Sequence, residues 1–409
     1  MKLFFRNLAI VTGTVVALVA CGNGTVNPTA KTSAAPTAAA SAPDTKSAAA
    51  DVRVKLNYLL GEHIILASKA TGAALGGRND EFAAYGDLLG KNGTDIGDMI
   101  GSVYGDAAKA QFNQIWSAHD GFFVDYTKAV ATNDAAAKTK AVNNLTTQYI
   151  PQFSDFIAGA TGLPKDVVTQ LTTMHVQQTA AIVDAQAAKD WPTAYKNIRL
   201  AYAHMRMIGD PVANAIVAKN ASKIAGDSKN KGVDLRVTVN QALQEHLYLA
   251  TFATNAALGG RSEEFKAAGD ALNANGTDIG ALLGSVYGQD AQAKFNSIWS
   301  AHNGFFVDYT VAVSKKDMAG KDAAVKNLTT VYVPQFSDFV AGATGLPKDT
   351  VAGLTAMHVT TTAAVVDAQG AKDAAGAATK DRAAAQHMPM LADPLAAGIV
   401  AKFPAKFQG

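Results

Sequence analysis

The chain has 409 residues, 48% apolar and 17% charged, which is more than one small domain needs and enough for two cores. Lys and Arg number 36 against 34 Asp and Glu, a balance too even for the dense basic surface that gripping nucleic acid requires. The one Cys, Cys21, excludes an internal disulfide, a thiolate metal cluster and a Cys-x-x-Cys-His haem attachment.

Residues 1–20 read as an export signal. Lys2 and Arg6 supply the positive start, and Leu8 to Ala20 form an apolar run too short to span a bilayer comfortably. The run closes on Leu18-Val19-Ala20-Cys21, which resembles a bacterial lipobox and predicts lipidation of Cys21. Residues 21–50 then read as the lipidated Cys and an Ala/Ser/Thr/Pro tether, too poor in large side chains to pack. No other stretch is expected to cross a membrane.

The remainder is one unit written twice. LLGEHIILASKATGAALGGR (59–78) matches ALQEHLYLATFATNAALGGR (242–261), and PQFSDFIAGATGLPKD (151–166) matches PQFSDFVAGATGLPKD (334–349), at a constant offset of 183. The apolar positions recur at three and four, the helical period. Breaks at Gly76-Gly77, Gly105, Thr132-Asn133-Asp134, Gly162-Leu163-Pro164 and Asp190-Trp191-Pro192 predict six helices per copy. Their expected ranges are 52–75, 79–103, 106–132, 135–160, 164–189 and 192–218. The second carries Gly at 86, 90, 93, 97 and 101, a small-residue stripe suited to close helix approach. The expected architecture is all-α: two tandem six-helix bundle modules, 51–221 and 235–409, joined by a polar linker at 222–234. With nothing but the linker between them, the modules are expected to fold independently. His63, His119 and His175 recur every 56 residues, so each module also reads as three related helical hairpins.

The eight histidines fall in two matching sets: His63, His119, His175 and His204, then His246, His302, His358 and His387. Each lies near the middle of its expected helix on a mostly apolar face, so four imidazoles per module can converge on a metal or a porphyrin. Methionine clusters beside them. His204-Met205-Arg206-Met207 and His387-Met388-Pro389-Met390 place Met207 and Met390 three residues from a His, and imidazole plus thioether suits copper, above all Cu(I). The competing reading is ordinary buried histidine, hydrogen-bonded through both nitrogens. Asp125, Asp184 and Asp210 read as carboxylates able to orient an imidazole, or as solvated helix faces. No Gly-x-Ser-x-Gly elbow, Ser-His-Asp order or His-Glu-x-x-His occurs.

The opening LLGEH, the ALGGR turn, GSVYG, GFFVDYT and the closing His-Met-x-Met together resemble a family of exported bacterial helical-repeat proteins often labelled copper amine oxidase-like. The resemblance implies copper. The oxidase chemistry does not carry over, because Asn57-Tyr58 runs into Leu59 and no two histidines stand two apart. The expected function is therefore copper binding or handling by a lipid-anchored protein on the outer or periplasmic face of a membrane. A haem protein with His axial ligands and a metal-free surface interaction module with structural histidines stay open as alternatives.

Overall fold

The computed structural model describes residues 42–408, and among them the regular structure is helical with no strand. The first half contains α1 (Ala48–Leu75), α2 (Asn79–Tyr104), α3 (Asp106–Ala131), α4 (Ala135–Asn144), α5 (Ile150–Thr161), α6 (Lys165–Ala187) and α7 (Trp191–Lys219). The second contains α8 (Lys231–Leu258), α9 (Ser262–Tyr287), α10 (Gln289–Lys315), α11 (Met318–Asn327), α12 (Val333–Thr344), α13 (Lys348–Gly370) and α14 (Ala374–Lys402). The expected breaks fall where local chemistry demands them. Ser47 and Asn230 cap α1 and α8 by accepting from backbone N–H groups of the first turn. Gly162 closes α5 in the left-handed region at φ 79°. The expected fourth helix is α4 and α5 joined by a π turn, Leu145–Tyr149, and the same turn recurs at Leu328–Tyr332. Pro151 and Pro334 follow these turns and lack the N–H that a regular α-turn would need there.

Each half is a bundle of three hairpins, α1/α2, α3/α4–α5 and α6/α7, with their counterparts in the second half. The first helices of the three hairpins, α1, α3 and α6, pack on one another, as do α8, α10 and α13.

The expectation that only a linker joins the halves is corrected. Helix α1 packs on α8, α2 on α14, and α7 on α9, and one apolar core runs through both halves. The reason lies in α1 itself. Leu59 through Leu66 are eight consecutive buried residues, more than two turns' worth of face, so the helix has no outward side there. Its charges are therefore paired across the halves. Glu62, fully buried, accepts from Arg382 at 2.9 Å, Asn92 at 2.8 Å and Tyr248 at 3.2 Å. Glu245 repeats this with Arg199 and Asn275. Lys69 meets Asp381 at 2.9 Å, both buried, and Asp381 also accepts from Tyr85. The repeat counterparts of Lys69, Asp381 and Tyr85 are Phe252, Ile198 and Ala268, so one side of the interface is ionic where the other is apolar.

Two boundaries also move. Thr45, Ala49 and Ala50, assigned by sequence to the tether, are buried, and the Ala49 N–H donates to the Ala225 carbonyl at 3.0 Å. The linker is docked rather than loose, since Arg53 donates to the Ser228 carbonyl at 2.7 Å. Cys21, the signal at 1–20 and most of the tether lie outside the described residues. One described helix, α13, is long and apolar enough to cross a membrane by length and composition, with a mean hydropathy of 1.2 over its best window. That corrects the expectation of no further candidate. In this fold α13 packs against α8 and α14.

Candidate metal centre

Each first helix of a hairpin delivers one imidazole to a common point. His63 on α1, His119 on α3 and His175 on α6 are all buried, and one ring nitrogen from each lies within 4.8 Å of the others. His246, His302 and His358 form the same triad in the second half. Ring centroids stand 5.2 Å apart for His63 and His119, and 5.9 Å for each of these with His175.

The surrounding residues explain how three polar rings come to share an apolar core. Trp116 lies 4.6 Å from the His63 ring, and it fits only because position 93 is Gly: a Cβ there would sit 2.7 Å from Trp116 Cδ1. Gly276 admits Trp299 in the same way, at 2.9 Å. So part of the glycine stripe gives the close approach read from the sequence, while Gly86 and Gly90 instead border the cavity over the triad. The π turn sets Tyr149 on the His119 ring at 4.5 Å, nearly parallel, and Tyr332 on His302 at 4.4 Å. Sequence reasoning did not single out these tyrosines; the Tyr two residues before a Pro was the available signal.

Hydrogen bonding leaves each ring of the first triad with a nitrogen to spare. His119 donates Nδ1–H to the Trp116 carbonyl at 2.8 Å, which fixes the lone pair on Nε2. That Nε2, His63 Nδ1 and His175 Nδ1 are buried without a partner, as is His246 Nδ1 in the second triad. Burial drives every ring toward the neutral form. His63 and His246 are held well below the usual imidazole range, His119 and His302 at about 4, and His175 and His358 at about 3. Neutral imidazoles offer lone pairs to a metal without competition from protons.

The fourth histidine of each set does not join. His204 and His387 are buried, but each donates Nε2–H to a carbonyl, Leu171 and Leu354, at 2.9 Å. Met207 and Met390, expected to pair with them as ligands, are 55% and 52% exposed. The correction follows from the buried stripe of α7: Ala194, Ile198, Ala201, Met205, Ile208, Val212 and Ile216 face inward, and position 207 lies roughly 200° around the helix from 205. Met205 and Met388 are the inward methionines, and Met388 lines a small cavity with His358, Trp299 and Tyr332. The carboxylates considered from sequence are engaged elsewhere: Asp184 with Tyr126 and Lys138, Asp210 with Arg53, Arg206 and Asn57. Asp125 is exposed.

Both triads open onto a cavity. The first is about 480 Å³ and is bordered by Asp120, Lys128, Thr71 and Phe82; the second is about 130 Å³, with Asn303 and Val311 at the first two positions. Asp120 Oδ1 lies 3.4 Å from His119 Nδ1, and burial pushes its carboxyl up to about 8. No family model, curated protein or solved structure matches the chain.

An acid-sensitivity prediction follows from the six triad rings. Above pH about 6.5, folded and unfolded chains both hold them neutral. Below it the unfolded chain takes up protons that the folded triads refuse, His119 and His302 until about 4 and His175 and His358 until about 3, so stability is lost as pH falls through that window. Metal-free protein should show a melting temperature that drops steadily between pH 6.5 and pH 4, and His119→Gln with His302→Gln should flatten the slope. A melting temperature constant over that range would contradict the burial of neutral triads.

Proposed function

We propose that this chain is an extracytoplasmic, lipid-anchored protein that binds two transition-metal ions, one in each histidine triad. The observation that carries the reading is the set of three buried, neutral imidazoles converging within 4.8 Å in each half, with unpartnered nitrogens among them. An unpartnered buried acceptor costs about 1–3 kcal/mol, and a bound ion removes that cost. His204 and His387 also keep an unpartnered Nδ1, so the convergence of three such rings on one point, rather than an unpartnered nitrogen alone, favours a ligand over a metal-free interaction module. A tetrahedral ion with bonds of about 2.0–2.1 Å needs its nitrogens roughly 3.3 Å apart, so the rings close in slightly on loading.

Three imidazoles with an open position facing a cavity suit Zn(II) or copper. With Met207 and Met390 turned outward, the selective pull toward Cu(I) rests on no thioether of that pair. Haem fits less well. Three imidazoles converge on one point where haem takes one or two axial ligands, and the second cavity is below the roughly 300–1,000 Å³ of sites for drug-sized ligands.

Titration with Zn(II), and with Cu(I) under anaerobic conditions, tests the reading. We expect two ions per chain in the wild type, one in His119→Ala or His302→Ala, and none in the double variant. Stoichiometry that ignores these substitutions would place binding elsewhere and overturn the triad assignment. The anchor rests on Cys21 in its lipobox: Cys21→Ser should move the protein from the membrane to the soluble fraction, and unchanged detergent partitioning would refute lipidation.

A further inference from the structure

The two triads are copies, yet their immediate surroundings are not. IWSAHDG in the first half becomes IWSAHNG in the second, so Asp120 has Asn303 as its counterpart. Both residues border the cavity of their own triad. Asp120 Oδ1 stands 3.4 Å from His119 Nδ1, whose N–H donates to the Trp116 carbonyl at 2.8 Å. In the second half the matching Nδ1 to carbonyl distance, His302 to Trp299, is 3.3 Å, and no carboxylate stands beside it.

Resting on the metal-binding reading above, we infer that the first triad is the tighter site for a divalent cation and that Asp120 makes it so. The physical reason is charge. A divalent ion held by three neutral imidazoles places two uncompensated positive charges in an apolar core, which is costly. A cation bound this close favours the charged form of Asp120, which then offsets part of that charge, while the Nδ1–H stays on the Trp116 carbonyl and leaves Nε2 as the donor. Asn303 supplies a dipole and no charge. The other charged group at the first cavity, Lys128, would oppose a cation, but it is exposed and screened by water. Asp120 here is a charge-compensating residue beside His119. Partners of this kind are worth about 10- to 100-fold in metal affinity.

The test uses the full chain and Zn(II) with a competing chelator. His246→Ala leaves only the first triad and His63→Ala only the second; the first variant is expected to bind about 10- to 100-fold more tightly. Adding Asp120→Asn to His246→Ala should bring its affinity down to that of the second triad, and adding Asn303→Asp to His63→Ala should raise the second. Asp120→Asn in an otherwise wild-type chain, which keeps all six ligands, should merge a two-step titration into one step. Equal affinities at the two triads, or no change on either exchange at position 120 or 303, would overturn the inference while leaving metal binding intact. Absence of zinc binding at both triads would instead overturn the metal-binding reading on which it rests.

Discussion

Asp381→Ala is expected to lower the melting temperature of the protein by on the order of 10 °C. The substitution leaves Lys69, 5% exposed on α1, without its carboxylate in the core between the halves. Removing one partner of a buried pair costs about 3–5 kcal/mol, because the remaining charge is neither hydrated nor paired, and each kcal/mol moves the midpoint of a chain this large by about 2–4 °C at most. The pair itself is not indispensable. Its repeat counterparts, Phe252 and Ile198, fill the equivalent place with apolar side chains. The double variant Lys69→Met with Asp381→Leu should therefore recover most of the loss. Calorimetry of both variants decides the matter: a single variant within about 1 kcal/mol of wild type, or a double variant worse than the single, would show that the pair is not buried as described.

Cutting the chain at the linker is expected to have a larger effect. The fragment 51–221 exposes the face of α1 that packs on α8, strips Glu62 of Arg382 and Tyr248, and strips Lys69 of Asp381. It also loses the contact of Arg53 with Ser228. We expect the full chain to unfold in one cooperative transition, and the fragment to melt broadly and well over 10 °C lower, or to associate through α1. A monomeric fragment with a sharp transition near that of the full chain would restore two self-sufficient modules.

The helices were legible in the sequence because their ends are marked by Gly, Pro and Asp, whose conformational preferences act locally. The π turns were not, since they preserve helical periodicity and displace it by a single residue. The shared core was readable in principle: Leu59 to Leu66 contains no polar face, and the Glu and His within it needed partners. The triad was legible through its spacing. His63, His119 and His175 stand 56 apart, one per hairpin, and those three converge. His204 breaks that spacing and bonds a carbonyl instead. Equal depth in a bundle does not fix direction, and His204 lies at the edge of the buried stripe of α7, so a residue three further on emerges into solvent. The difference between the two triads was visible as one letter, Asp120 against Asn303, but its meaning required the contact with His119.

The most direct measurement is anomalous diffraction at the zinc edge from crystals of the chain grown with Zn(II). Two peaks per chain are expected, one bounded by nitrogens of His63, His119 and His175 and one by those of His246, His302 and His358, at about 2.0–2.1 Å. Both triads empty of metal, or metal found instead beside His204 and Met207, would contradict the triad assignment.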